Sequence, residues 1–105
     1  MISMEAIADV RDQIVAKFHP EQIILFGSYA YGTPHEDSDV DLLVVLPFEG
    51  LSIKEQTAIR LAVHGGFPMD VIVYTPQRLK ERLQLGDSFL REITEKGKVL
   101  YVTAH

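Results

Sequence analysis

The sequence predicts an α/β fold of the α+β kind, a small sheet with helices packed against it. Three observations predict it. Short apolar runs, "QIILF", "DVDLLVVL" and "MDVIVY", read as strands. Stretches with apolar residues at helical spacing alternate with them. Capping and breaking residues stand at the junctions, which gives the order α-β-α-β-α-β-α-α-β. The chain has 105 residues, 47% of them apolar. One domain over 1–105 with a modest stability margin is therefore expected.

Ser3 caps a first helix in which Ile7, Val10, Ile14 and Phe18 share one side. His19-Pro20 stops it, because the residue before a proline avoids helical angles. "QIILF" follows as a strand ended by Gly27, then a brief helix from Ser28 to Tyr31 closed by Gly32, then a loop through "TPHED". Residues 39–46 form the second strand. Val40, Leu42, Val44 and Leu46 share one face; Leu43 and Val45 continue the face that Asp39 and Asp41 begin. Both faces are apolar past the aspartates, so this strand is central, and Pro47 closes it. Ser52 and Glu55 read as a capping box opening a helix to about His64, ended by Gly65-Gly66. "MDVIVY" is the third strand. Thr75 caps a helix with Pro76 in first position. Asp87 caps the next, which turns Phe89, Leu90 and Ile93 inward and stops at Gly97, and "KVLYV" is a small closing strand.

Charge and composition narrow the function. The formal net charge is −5, which disfavours a protein that grips nucleic-acid backbones but leaves room for a phosphate held in one pocket. Cysteine is absent, so no disulfide or thiolate metal site exists. "MISMEAIADV" lacks the pattern of a signal peptide, and no apolar run is long enough to span a bilayer. A cytoplasmic location is expected.

The chemistry lies in "ILFGSYAYGTPHEDSDVDLLVVL". Asp39 and Asp41 point the same way along a strand, roughly 6.6 Å apart. Such carboxylates repel each other and lose hydration near a core. No lysine or arginine occurs between Lys17 and Lys54 to compensate them. A divalent cation would compensate both, and oxygen-only ligands suit Mg²⁺. An EF-hand is excluded: its sixth and twelfth positions would be Leu42 and Phe48 rather than glycine and glutamate. Gly27-Ser28, between a strand and a helix start, permits a sharp turn and close approach of a phosphate, although no Walker loop is present. Asp70 opens the third strand as Asp39 opens the second. If these strands are neighbours, three carboxylates could hold two metal ions about 4 Å apart.

Gly27-Ser28, ten residues, Asp39-Val40-Asp41 and a later Asp70 resemble the DNA polymerase β-like nucleotidyltransferase superfamily, most closely its minimal nucleotidyltransferases. The likeness is dense over residues 23–46 and looser through the third strand. It implies a mixed sheet with the active site at its edge. By that resemblance, Asp39 and Asp41 bind two Mg²⁺ ions, and Asp70 binds the catalytic one and helps activate an acceptor hydroxyl. Gly27 and Ser28 hold the outer phosphates of a nucleoside triphosphate, ATP being the expected one. A hydroxyl attacks the α-phosphate and pyrophosphate leaves. Similar small proteins pair with a helical HEPN-domain partner as a toxin–antitoxin module, and some transfer AMP to a tyrosine of the toxin. A homo-oligomer is the alternative source of an acceptor surface. One departure stands out: many relatives read Gly-Ser-x-Ala-Arg-Gly, and here Tyr31 takes the arginine's place. Arg60, Lys54 or a partner's side chain are the candidates to replace it. Two readings without transfer remain open, an antitoxin acting by partner binding alone and a nucleotide-sensing domain.

Other polar residues have plainer roles. His19, His35, His64 and His105 show no metal-binding spacing and are expected in solvent, with His35 in the site loop. Ser38 is expected to order that loop through a backbone hydrogen bond, and Asp37 to be solvated. Tyr29 and Tyr31 are expected to pack beneath it. Residues 80–98 form a charged amphipathic stretch with Glu92 and Lys96 spaced as a pair, either a surface or a dock for a helical partner.

Overall fold

The computed structural model describes residues 1–103. Helix α1, Met4–Phe18, begins where the Ser3 hydroxyl accepts the Ala6 N–H, and ends at His19 in the left-handed region, φ 52°. Strand β1 is Gln22–Phe26, helix α2 Ser28–Tyr31, strand β2 Val40–Val45, helix α3 Ser52–Ala62 and strand β3 Met69–Tyr74. Helix α4, Pro76–Gln84, helix α5, Ser88–Lys96, and strand β4, Lys98–Val102, complete the expected order. His105 lies outside the described residues.

The strands form one mixed sheet in the order β3-β2-β1-β4. β1 runs antiparallel to β2 and to β4, while β2 and β3 are parallel. Strand alternation then sorts the core into two clusters. Val40, Leu42, Val44, Leu46, Val71 and Val73 pack against Ile7, Val10 and Ile14 of α1 and Ile59 of α3. Ile24, Phe26, Leu43 and Val45 pack on the other face against Leu79 of α4 and Leu90 and Ile93 of α5. β2 is thus central and covered on both sides. Its five apolar residues are all buried, each stabilising the fold by about 1.5–3 kcal/mol relative to exposure.

Four local expectations need correction. The second strand begins at Val40 and ends at Val45, so Asp39 lies just before it. Ser52 is not a cap: Leu51 holds the N-cap position without a side-chain bond, and its carbonyl accepts the Lys54 and Glu55 N–H groups. Gly50, at φ 88°, precedes that N-cap, two residues before the S-x-x-E spacing begins. The helix also stops at Ala62 rather than near His64. Val63 turns extended to bury its side chain, and the Gln13 side-chain amide bonds both the N–H and the carbonyl of His64. Phe89 does not turn fully inward; it stays 53% exposed and leans edge-on against Phe26, ring centres 5.8 Å apart.

Candidate active site

The register places the candidate carboxylates together. Asp41 lies opposite Asp70 in the parallel β2–β3 pair and opposite Phe26 in the antiparallel β1–β2 pair. Paired residues share a sheet face. Asp41 and Asp70 therefore stand on the face covered farther along by α4 and α5, on strands about 4.8 Å apart. Asp39 stands just before β2, close enough for its charge to act on Asp41. Asp39 and Asp70 are exposed, and Asp41 is half-buried.

Gly27 follows Phe26 and closes the site from the β1 side. Its backbone, φ 74° and ψ −153°, belongs to a region essentially restricted to glycine. A Cβ there would run into the Asp41 carboxylate, whose Oδ2 and Cγ are the nearest atoms. The missing side chain lets the strand-to-helix turn press its backbone against that carboxylate. Ser28 begins α2, and the N–H groups of Ala30 and Tyr31 return to the Gly27 carbonyl. The short helix is also packed closely at its far end, since a Cβ on Gly32 would come within 2.8 Å of the Ser28 Cα.

The carboxylates shape each other's chemistry. The Asp41 carboxyl is pushed up to about 6, chiefly by lost hydration, then by the charges of Asp70 and Asp39. As an anion it is unsatisfied by the protein, and a hard cation would satisfy it. Among the described residues no three carboxylates or histidines close into a metal cage. Asp41 and Asp70, paired across β2 and β3, and Asp39 just before β2 offer carboxylates one or two at a time, which suits Mg²⁺, an ion that takes one or two carboxylates and leaves its other positions to water and phosphate.

The surroundings divide along the expected lines. In the loop before Asp39, the Ser38 hydroxyl accepts the His35 N–H at 3.0 Å, as expected, and Asp37 is exposed. His19, His35 and His64 are exposed. Tyr29 packs on the α1 side and its hydroxyl accepts the Ile2 N–H, whereas Tyr31 is 38% exposed. Of the two basic candidates on α3, Arg60 lines a recess of about 580 Å³ together with Met69, next to Asp70. Lys54 stands in the first turn, at the opposite end of the helix. Among the described residues Glu92 and Lys96 form no ion pair; the ion pairs found are Arg11–Asp12, Arg78–Glu81 and Arg82–Asp87.

One larger feature was missed by sequence reasoning. A cleft of about 590 Å³ runs along β3 from Ile72 to Thr75, between the segment Phe48–Ser52 and the helices α4 and α5. It brings Arg78 and Arg82 beside Phe48, Tyr74 and Phe89. Only the alternation of β3, with Ile72 and Tyr74 on the Asp70 face, hinted at it.

No helix among the described residues is long and apolar enough to cross a membrane. The chain is similar to two proteins of Methanocaldococcus jannaschii, both provisionally named protein adenylyltransferases. MJ0604 is 33% identical over 81 residues, 77% of this chain and 78% of that protein. MJ0141 is 31% identical over 77 residues, 73% of this chain and 75% of that protein. A crystal structure from Sulfolobus solfataricus, provisionally described as a nucleotidyltransferase, shares the fold with a TM-score of 0.64 at 19% identity. The match covers 91% of this chain and 77% of that one. The family model of the nucleotidyltransferase domain matches residues 7–105, almost the whole chain, so the protein belongs to the nucleotidyltransferase domain family and is a nucleotidyltransferase.

Proposed function

We propose that the protein is an Mg²⁺-dependent adenylyltransferase that moves AMP from ATP to a tyrosine hydroxyl of a partner protein. The partner is of the HEPN type, and the pair works as a toxin–antitoxin module. The observation that carries the transfer reading is Asp41: half-buried, flanked by two further carboxylates, and pressed by the backbone of Gly27. Nothing in a resting fold rewards that crowding, whereas a cation with a triphosphate does. The provisional names of the Methanocaldococcus relatives support a protein acceptor and an adenylyl group. The resemblance of Gly27-Ser28 and Asp39-Val40-Asp41 to minimal nucleotidyltransferases supports the HEPN partner.

Each residue then has a task. Gly27 admits the outer phosphates against the backbone, and the Ser28 hydroxyl donates to a phosphate oxygen. Asp39 and Asp41 hold Mg²⁺, which supplies charge neutralisation for the phosphates when bound. Asp70 stands where the incoming hydroxyl approaches and takes its proton. The tyrosine oxygen forms a bond to the α-phosphorus. The bond from that phosphorus to the bridging oxygen breaks, and pyrophosphate leaves with the electron pair.

Tyr31 favours a second reading. It replaces a cation near the phosphates and is partly exposed, which suits an antitoxin that acts by binding alone. One experiment separates the two. The protein, its co-purified partner and Mg²⁺ are incubated with α-labelled ATP, CTP, GTP or UTP. Label should appear on a partner tyrosine, from ATP foremost, and vanish with Asp39→Ala or Asp41→Ala. If those variants protect cells from the partner as well as the parent does, the transfer reading fails.

A further inference from the structure

The geometry points to the cleft beside β3 as the acceptor's seat: it takes a tyrosine-bearing segment with an acidic side chain several residues from the tyrosine, held by Arg78. This inference rests on the transfer reading and deepens it.

In-line displacement puts the attacking and leaving oxygens on opposite sides of the phosphorus. Across the sheet end, Gly27 and Ser28 follow β1, Asp41 stands on β2 and Asp70 on β3. With strands about 4.8 Å apart, the two outer positions are about 9.6 Å apart. With the pyrophosphate end on the β1 side, the hydroxyl must come from the β3 side. The cleft opens there. Its near end is Ile72, the next residue after Asp70 on that face.

The lining says what kind of segment fits. Phe48, Tyr74 and Phe89 offer aromatic walls, and Arg78 and Arg82 bring positive charge to a chain of net charge −5. Arg82 is already engaged: its Nε and Nη2 both bond Asp87 Oδ2, at 3.1 and 3.0 Å. Arg78 is freer, with a long 3.8 Å pair to Glu81 and 60% side-chain exposure. On the β3 edge Gln56 Oε1 already accepts the Val73 N–H, and the charged and aromatic lining points to recognition by side chains. Asp70 stands near the start of β3, and Arg78 lies past its end in the first turn of α4. An extended acceptor running along β3 at about 3.3 Å per residue therefore places its acidic residue several positions from the tyrosine.

The test is a set of tyrosine peptides carrying one glutamate at each position from one to six residues on either side, with lysine counterparts. Binding is read by fluorescence anisotropy without nucleotide, and transfer by label from ATP. The parent should favour glutamate over lysine by about two- to fivefold, as expected of a solvent-reached ion pair. The preference should peak at one spacing on one side of the tyrosine, and Arg78→Glu should reverse it. A preference that ignores charge or position overturns the inference while leaving transfer intact. So does an Arg78→Glu variant that raises KM for ATP and keeps the peptide preference, since the cleft then belongs to the nucleotide. If the parent labels neither partner nor peptide, the transfer reading falls and takes this inference with it.

Discussion

Asp41 and Asp87 are both half-buried aspartates beside the same apolar cluster, yet their carboxyls are driven in opposite directions. Asp87 caps α5: its Oδ1 accepts the Leu90 N–H at 3.0 Å, and its Oδ2 takes the Arg82 guanidinium. Those bonds, the backbone one first, hold it below the ordinary carboxylate range. Asp41 has lost water and gained two like-charged neighbours, and it is pushed up to about 6. The α4–α5 corner is finished by the protein's own atoms. Among the described residues the end of the sheet has no such partners for its carboxylates, and the proposed site rests on that contrast.

The largest expected effect is on transfer. Asp41→Asn should lower the labelling rate on the order of a thousandfold or more. The same substitution should raise the thermal midpoint, because it removes a crowded anion; wild-type-like labelling would erase the contrast. Next comes Gly27→Ala, which adds a Cβ at φ 74° against the Asp41 carboxylate. Its cost should be about 2–4 kcal/mol by urea denaturation. In an Asp41→Ala background the cost should shrink, since part of the collision is gone, and a double-mutant cycle reads the difference.

A third test uses pH. The folded state holds the Asp41 proton more tightly than the unfolded chain, whose aspartates titrate near 3.8. Asp41's contribution is therefore fully present below about pH 4 and is lost as pH rises toward 6. Discounted for the solvent that reaches this carboxylate, the loss is on the order of 1 kcal/mol. It should vanish in Asp41→Asn. Asp87 works the other way: its contribution is present above the unfolded value and is lost as pH falls through its lowered folded value. The smallest effect is Asp87→Ala, which should lower the thermal midpoint modestly and remove that acid-side loss.

Elements with strong local rules were legible in the chain. The Ser3, Thr75 and Asp87 caps formed as expected because each hydroxyl or carboxylate stands three residues before the N–H it takes. The strand faces of β2 followed from alternation. Ser52 misled because its S-x-x-E spacing fits a capping box, while the N-cap falls one residue earlier, at Leu51, which has no capping side chain. The end of α3 depended on Gln13, 51 residues away from His64, which no local pattern reveals. At the site, Asp39-x-Asp41 and Gly27-Ser28 stood out, but that Asp70 faces Asp41 awaited the parallel pairing of β2 and β3. The cleft was hidden because its walls come from four separate stretches of chain.

Each border of the sheet is guarded by a side chain lent from a helix. Gln56 occupies the Val73 N–H on one side, and Arg11 Nη1 donates to the Leu100 carbonyl at 3.4 Å on the other. A four-stranded sheet with bare margins is a template on which further chains stack. At each margin one backbone group is already taken, which lessens that templating at the cost of only two long polar residues.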